Sequence, residues 1–210
     1  MVSNEKKVLK QAYNNFAEHR DQTDLAPWKQ AERMQFLARM QQENRRTLLE
    51  IGAGPGRDSL YFQQNGLNVT AIDFSEEMVR LCRNKGLQAY VMDFYRLDFP
   101  HESFDAVFAL NCLLHVPKAQ LDLVFQQIRK VLKPKGLFFL GLYGGKSFEG
   151  IWGNDTYEPK RFFSLYEDAA ILGVVQQWFH LEDFHTVNLG EGTPHFQSIL
   201  LRKMGNSEIK

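Results

Sequence analysis

The sequence has few of the features that mark secreted, metal-binding or nucleic-acid-binding chains. Its 210 residues include only two cysteines, Cys82 and Cys112, in apolar surroundings and without a paired metal-ligand spacing. They predict neither a disulfide framework nor a zinc site, and free core thiols suit a reducing compartment. Lysine plus arginine equals aspartate plus glutamate, 25 against 25. The chain therefore lacks the basic excess with which nucleic-acid-binding proteins neutralise phosphates.

Long apolar runs are also missing from the sequence. No stretch approaches the roughly 18 apolar residues that are needed to span a bilayer. The first residues, MVSNEKKVLK, lack the continuous apolar run of a signal peptide. We therefore expect a cytoplasmic protein, a monomer or a homodimer, with no membrane partner and no nucleic-acid partner.

The middle of the chain alternates between strand and helix patterns. Five short apolar runs have the length of buried strands, and helical patterns lie among them. The strand runs are TLLEIGA, NVTAID, LQAYVMD, FDAVFALN and LFFLGLY, and the helical patterns are RDSLYFQQNG, SEEMVRLCRNKG and KAQLDLVFQQIRKVL. This alternation predicts an α/β fold of the Rossmann-like, doubly wound type, with a mostly parallel sheet and helices on both faces.

The two ends of the chain depart from this rhythm, within what we predict to be a single domain over 1–210. Helical spacing over 3–20 and 28–42 predicts an N-terminal helical arm, 1–45, before the core at 47–143. The Gly- and aromatic-rich stretch 144–163 has the length of a functional lid. Residues 164–203 predict a helix, begun by a capping box of Ser164 and Glu167, and then antiparallel strands.

A glycine-rich turn, EIGAGPGRD at 50–58, follows the first strand of the predicted core. A dinucleotide-binding pattern, G-x-G-x-x-G, requires glycine at the position of Arg57. The spacing here is G-x-G-x-G, which argues against a pyrophosphate at the start of the helix. Asp73 ends the next strand, 21 residues after Gly52, near the distance at which a carboxylate binds ribose hydroxyls.

Polar residues also end the third and fourth predicted strands. Asp93 is followed by Phe94, and Asn111 ends the run FDAVFALN. In an open parallel sheet, ligands bind outside the carboxyl ends of the strands, where the strand order reverses. We therefore expect these groups to form one rim around an adenosine-containing ligand.

This set of motifs resembles the class I S-adenosylmethionine-dependent methyltransferases, in their group of small single-domain members. The resemblance covers 47–143 and rests on LLEIGAGPGRDSLYF, VTAIDFSEEMV, VMDF, FDAVFALNCLLHV and VLKPKGLFFL. It implies an enzyme that uses S-adenosyl-L-methionine and transfers its methyl group directly to an O, N or S nucleophile. Alignment of donor and acceptor is then the main task of the protein.

The resemblance also implies roles for individual residues. Gly52 and Gly54 let the backbone approach the methionyl part, and Glu50 orders that end from behind. Asp73 binds the ribose, and Asp93 with the Phe94 backbone reads the adenine edge. Further members of the predicted cofactor site are Tyr13 on the arm, Ala53, Arg57, Phe74, Met78 and Asn111, the last of these beside the methionyl group.

Structural explanations stay open for several of these residues. Asp73 and Asp93 could be turn residues, and Asn111 could end its strand through local hydrogen bonds. Glu50, unusual inside an apolar strand, needs either a ligand or a structural partner. His115, after the fourth strand, is the candidate general base, although a structural histidine is the alternative.

The sequence leaves more than one function open. A small molecule is the preferred methyl acceptor, since no N/D-P-P-Y/F tetrad of amino-group methylases follows the fourth strand, where NCLL stands. An RNA or protein acceptor is an alternative. So are an NAD(P)-dependent oxidoreductase and a protein that binds S-adenosylmethionine without catalysis. We predict no metal site, since the histidines have no ligand spacing.

Overall fold

The computed structural model describes residues 3–205 and begins with three helices. They are α1 (Ser3–Asn15), α2 (Ala17–Gln22) and α3 (Pro27–Gln42). The predicted continuous helix over 3–20 is wrong, because the chain leaves helical geometry at Phe16, with φ −102° and ψ 5°. The Phe16 ring stacks on Tyr157, with 4.1 Å between ring centroids and an interplanar angle of 18°. This contact with a distant segment accompanies the break between α1 and α2.

Seven of the strands form one sheet, with four further helices between them. The strands, numbered in chain order, are β1 (Thr47–Ile51), β2 (Asn68–Asp73), β3 (Gln88–Val91), β4 (Phe104–Leu110), β5 (Leu132–Gly144), β6 (Phe148–Ile151), β7 (Phe162–Leu165), β8 (Phe179–Val187) and β9 (His195–Lys203). The helices are α4 (Arg57–Gln64), α5 (Glu76–Asn84), α6 (Leu121–Val131) and α7 (Asp168–Val175).

The main sheet has the strand order β3-β2-β1-β4-β5-β9-β8. Strands β1 to β5 pair in parallel, whereas β9 pairs antiparallel with both β5 and β8. This confirms the predicted Rossmann-like sheet with antiparallel strands at its C-terminal end. The strand order reverses between β1 and β4, so a ligand crevice is expected at their carboxyl ends.

Helices cover both faces of the main sheet and close a core around it. On one face, the aromatic ring of Phe36 from α3 packs with Phe62, Phe108 and Phe139, which are at most 3% exposed. On the other face, α6 buries Phe125 against β5 and β8. The apolar periodicity of these helices explains their burial. Because α3 packs on the sheet, its first turn is fixed beside the carboxyl ends of the strands.

The stretch between β5 and α7 forms a separate two-stranded sheet of β6 and β7. The predicted capping box of Ser164 and Glu167 is wrong. Ser164 lies inside β7, paired with Glu149, and α7 begins only at Asp168, where Glu167 makes no side-chain cap. Pairing with β6 draws this segment into an extended conformation, which local capping signals do not report.

The sequence predicts neither a membrane-spanning segment nor a metal site. Within the described residues, 3–205, no helix has the length and apolar character that crossing a membrane requires. In the same range, the acidic, cysteine and histidine side chains form no group of three or more that could hold a metal ion.

Candidate functional site at the carboxyl ends of the parallel strands

The tips of β1, β2 and β4 enclose a crevice, which we call the rim crevice, and α1 and α2 lie over it. Of the residues that the sequence places in the functional site, eight line this crevice: Tyr13, Gly52, Gly54, Asp73, Phe74, Phe94, Asn111 and His115. The doubly wound topology brings these groups together, because each strand tip ends at the same edge of the sheet. With α1 against it, the rim crevice encloses about 60 Å³.

Asp73, at the end of β2, is the carboxylate of the rim crevice. Its Oδ2 accepts from the Gly54 N–H at 2.8 Å, and its Oδ1 accepts from the Ser75 N–H at 2.9 Å. Burial raises the pKa of this carboxyl, and the backbone N–H groups and Arg20 act against that rise. Each oxygen keeps a further lone pair, so Asp73 can accept hydrogen bonds from a pair of hydroxyl groups.

The two glycines of the loop serve different physical needs. Both have left-handed backbone conformations, with φ of +66° at Gly52 and +56° at Gly54. A Cβ on Gly52 would lie 2.3 Å from Cβ of Cys112, so this position is closed by packing. A Cβ on Gly54 would meet only the Arg20 guanidinium, at 3.7 Å. The backbone at Gly54 therefore faces the crevice openly.

Arg20 and Asn111 bring buried polar atoms without partners to the rim crevice. Arg20 donates to the Tyr157 hydroxyl at 3.0 Å, yet its buried Nε has no acceptor among residues 3–205. In the same part of the chain, the solvent-inaccessible amide atoms of half-buried Asn111 have no partner in full hydrogen-bond geometry, and their interaction with the neighbouring Tyr143 hydroxyl acts to lower the pKa of Tyr143. Unsatisfied buried polar atoms are costly and rare, so a ligand is their natural partner.

Glu50 and Arg57 have structural partners outside the rim crevice. Glu50, 3% exposed in β1, accepts from the Ser59 hydroxyl, and burial, followed by the nearby Asp58, raises its pKa well above the usual value. The Arg57 guanidinium donates to the Thr23 carbonyl, away from the loop.

The remaining predicted residues also lie behind or beside the rim crevice. Met78 is fully buried against the arm, and Ala53 packs in the core. Asp93 lines a small adjoining cavity with Phe94, forms an ion pair with Lys6 at 2.5 Å, and accepts from the Tyr95 N–H at 3.0 Å.

His115 lies at the inner end of the rim crevice and contacts the arm. Its Nδ1 is 2.6 Å from the Phe162 carbonyl, which can only accept, so Nδ1 carries the proton. Nε2 then accepts from the Tyr13 hydroxyl at 2.6 Å. Burial, followed by the charge of Arg161, lowers the pKa of His115 to about 3. The histidine is therefore neutral, with its basic nitrogen directed at Tyr13.

Arg161 completes this hydrogen-bonded group. It donates to the Tyr13 hydroxyl at 3.1 Å and forms a bidentate pair with Asp155, at 2.8 and 2.7 Å. Its guanidinium stacks 3.4 Å from the centroid of the Tyr157 ring. The N-terminal arm and the 144–163 stretch therefore contact each other directly over the end of the rim crevice.

Two further cavities lie beyond the rim crevice: the first shares lining residues with the rim crevice, and the second shares lining residues with the first. The first, which we call the cationic chamber, has a volume of about 130 Å³ and is lined by Arg20, Lys29 and Arg161, among others. The second, the lid cavity, has about 340 Å³ and lies under the 144–163 stretch, with Trp152 and Phe163 in its wall.

No local signal in the sequence marks the three cations of the cationic chamber. Arg20 and Lys29 lie on the arm and Arg161 lies in the stretch before β7, where no motif surrounds them. Only the folding of these segments over the strand tips brings them together. Tyr13 and His115 were predicted separately, but not as hydrogen-bonded partners.

Comparison with known proteins identifies the central part of the chain. Residues 49–140 match a family described as a methyltransferase domain. Phosphoethanolamine N-methyltransferase 2 of Caenorhabditis elegans is 28% identical over 170 residues, 77% of this chain and 38% of that protein. Ubiquinone biosynthesis O-methyltransferase of Xanthomonas oryzae is 34% identical over 100 residues, 44% of this chain and 41% of that protein. The chain thus spans about two fifths of the length of these curated relatives.

Solved structures share the fold over nearly the whole chain. The 1,6-didemethyltoxoflavin-N1-methyltransferase of Burkholderia thailandensis, solved with S-adenosylhomocysteine, has a TM-score of 0.74 at 20% identity, over 95% of this chain and 88% of that one. The N-methyltransferase NodS of Bradyrhizobium japonicum has a TM-score of 0.68 at 14% identity, over 97% and 100%. At these identities, the likeness establishes the fold.

Proposed function

We propose that this chain is a class I S-adenosylmethionine-dependent methyltransferase and that it transfers a methyl group to an O, N or S atom of a small molecule. The observation that carries the proposal is the rim crevice, where the Asp73 carboxylate, held by two backbone N–H groups, faces buried polar atoms of Arg20 and Asn111 that lack partners among residues 3–205. S-adenosyl-L-methionine, when bound, supplies a methyl group on a positively charged sulfur.

The residues of the rim crevice suit the parts of that molecule. Asp73 has the free lone pairs to bind a ribose diol, and Arg20 has a free donor for a carboxylate beside the open backbone of Gly54. Phe74 and Phe94 offer apolar surface for a base. We assign Asp93 to the edge of the adenine, and Glu50, Ala53, Arg57 and Met78 to support of the loop and helix from behind.

The arm covers the site and has to move for a ligand to enter. The rim crevice holds about 60 Å³ with α1 in place, whereas ligand pockets commonly hold roughly 300–1,000 Å³. The arm is held through a few polar contacts, among them Tyr13 with His115 and Lys6 with Asp93. Outward movement of α1 therefore widens the crevice without disturbing the sheet.

His115 and Tyr13 position the nucleophile in this proposal. The Tyr13 hydroxyl donates to Nε2 of His115 at 2.6 Å and can accept a hydrogen bond from the nucleophile. The pKa of His115, lowered to about 3 chiefly by burial, argues against the general-base role that the sequence suggests for it. The Phe162 carbonyl holds the histidine in the required tautomer. Alignment of the reactants lowers the barrier by roughly 7–11 kcal/mol.

Calorimetry with S-adenosylhomocysteine tests the assigned site. We expect Asp73→Ala to weaken binding about 100-fold, because two hydrogen bonds to a charged acceptor are lost. Asp98→Ala, at a carboxylate that is 68% exposed, is the matched control and should leave binding unchanged. Equal affinity of the wild type and Asp73→Ala would refute the ribose role of Asp73.

Transfer of labelled methyl into a cell extract tests the activity and the class of acceptor. Label in the small-molecule fraction supports the proposal, which the 340 Å³ lid cavity favours by its size. Label in RNA or protein would replace the small-molecule acceptor with a macromolecule. Binding of S-adenosylmethionine without transfer to any fraction would indicate a non-catalytic binding protein.

A further inference from the structure

The rim crevice, the cationic chamber and the lid cavity adjoin one another in that order, each sharing wall residues with the next. The cationic chamber shares Tyr13, Asn111 and His115 with the rim crevice, and it shares Tyr143 and Phe163 with the lid cavity. In the proposed function, the nucleophile has to reach the Tyr13 hydroxyl. Any acceptor that extends from the lid cavity to Tyr13 therefore passes through the cationic chamber.

The walls of the cationic chamber carry more positive than negative charge. Arg161 is neutralised by its bidentate pair with Asp155. Arg20 and Lys29 have no carboxylate within 4 Å in the described part of the chain, and Lys29 makes no hydrogen bond through its ammonium group there. Burial, followed by the charge of Arg20, lowers the pKa of Lys29 to about 8. Within the described range, two like charges therefore line one cavity that has no carboxylate in its wall, and the carboxylates that act on them, Asp58 on Lys29 and Asp73 on Arg20, lie beyond 4 Å.

The position of Lys29 in its helix also disfavours its positive charge. It lies in the first turn of α3, which has no acidic residue. A cation is unfavourable at a helix N-terminus, where the backbone dipole favours an anion. The Lys29 ammonium group lies 5.2 Å from the centroid of the Trp28 ring, but neither that ring nor the first turn of α3 carries a negative charge that would balance it.

The methionyl carboxylate in the proposed function can offset one of the two charges. Arg20 lines both the rim crevice and the cationic chamber and lies 3.7 Å from the Cβ position of Gly54, so it is the cation near the glycine loop. Lys29 lines the cationic chamber and not the rim crevice. Lys29 is therefore the charge that remains for the acceptor.

Resting on the proposed function, we infer that the methyl acceptor is an anionic small molecule whose carboxylate or phosphate binds Lys29 and whose apolar body occupies the lid cavity. The lid cavity has aromatic walls at Tyr143, Trp152 and Phe163, with the Arg161–Asp155 pair at its edge. Its volume of about 340 Å³ suits a fused-ring or short-chain body. The net positive wall disfavours an acceptor that carries a net positive charge.

Calorimetry on the protein saturated with S-adenosylhomocysteine tests this inference with three probes of one shape. The probes are 2-naphthoate, 2-naphthyl phosphate and the uncharged 2-naphthamide. We expect at least one anion to bind roughly 10- to 100-fold more tightly than the amide, the range of a hydrogen bond to a charged group. The preferred anion distinguishes a carboxylate from a phosphate acceptor.

Variants of Lys29 assign the effect to its charge. Lys29→Met should remove the preference for the anion while leaving naphthamide binding within about threefold, and Lys29→Arg should retain the preference. Lys7→Met, at an exposed lysine of α1, is the control and should behave like the wild type.

Three results would overturn the inference: equal binding of amide and anions, failure of both anions to bind, or an unchanged anion preference in Lys29→Met. Each is judged on protein that binds S-adenosylhomocysteine. Loss of that first binding step would instead count against the proposed function, so the two failures are distinct.

Discussion

Two groups of charged side chains in this molecule differ in how completely they are paired. At the end of the sheet opposite the rim crevice, Arg39 and Arg202 each form ion pairs with both Glu43 and Glu182, at 2.5–2.7 Å. In the cationic chamber, Arg20 and Lys29 have no such carboxylate within the part of the chain described here.

The pKa values show the same contrast. Hydrogen bonds from Arg202 and Arg39 lower the pKa of Glu43 to about 2, so the folded protein favours that charge. Burial lowers the pKa of Lys29 to about 8, so the folded protein disfavours the positive charge of Lys29. Charged side chains that are paired within the fold have a structural role. Charged side chains that lack an ion-pair partner in a cavity indicate a binding site for a ligand of opposite charge.

The largest effect is expected when the Tyr13 hydroxyl, which links the N-terminal arm to His115, is removed. Tyr13→Phe should lower kcat about 100-fold, because the nucleophile loses the hydrogen bond that orients it while the ring keeps its contacts. Affinity for S-adenosylhomocysteine should change less than threefold. Steady-state kinetics with the acceptor found by labelling gives kcat, and Tyr90→Phe, on exposed β3, is the control. An unchanged kcat would remove Tyr13 from the chemistry.

Arg20→Met is expected to affect binding and not stability. Affinity for S-adenosylhomocysteine should fall roughly 10- to 100-fold, since a charge-assisted hydrogen bond to its carboxylate is lost. The free energy of unfolding should stay within about 0.5 kcal/mol of the wild-type value, because Arg20 has no ion-pair partner among residues 3–205. Urea titration and calorimetry measure the two quantities. A large loss of stability would place Arg20 with the structural cluster.

The reverse pattern is expected for Arg202→Met. The free energy of unfolding should fall by about 2 kcal/mol, less than for a fully buried pair, because the side chains of this cluster are 16–34% exposed. Affinity for S-adenosylhomocysteine should not change. Arg96→Met, at a pair with Asp98 whose arginine is 81% exposed, should lose less than about 0.5 kcal/mol. Weakened binding of S-adenosylhomocysteine by Arg202→Met would contradict the purely structural role of this cluster.

Many of the residues predicted for the site lie together at the rim crevice because the signals that mark them are local. Apolar runs mark β1, β2 and β4, and each functional group follows its strand directly, as Asp73 and Asn111 do. The parallel topology then brings the strand tips together without further information. The same local reasoning puts His115, which follows β4, near the crevice, whereas Tyr13 is expected there only through the resemblance.

The cationic chamber and the start of α7 depend on contacts between distant segments. Lys29 has no motif, and it faces the chamber only because α3 packs on the sheet. Ser164 and Glu167 have the spacing of a helix start, but pairing of β7 with β6 overrides that local preference. Glu50 likewise needed a partner that the sequence alone did not identify, and Ser59 provides it.

The smallest effect is expected from the titration of Lys29. Its pKa is lowered to about 8 by burial, by Arg20 and by Arg57, with Asp58 acting in the opposite direction. The ammonium is therefore charged below pH 8 and loses its charge as pH rises through that value. Affinity for 2-naphthoate should fall by up to roughly tenfold between pH 7 and pH 9, since the probe itself stays ionised. Binding of 2-naphthamide, and binding of naphthoate to Lys29→Arg, should stay level. A parallel fall for all three would assign the titration to another group.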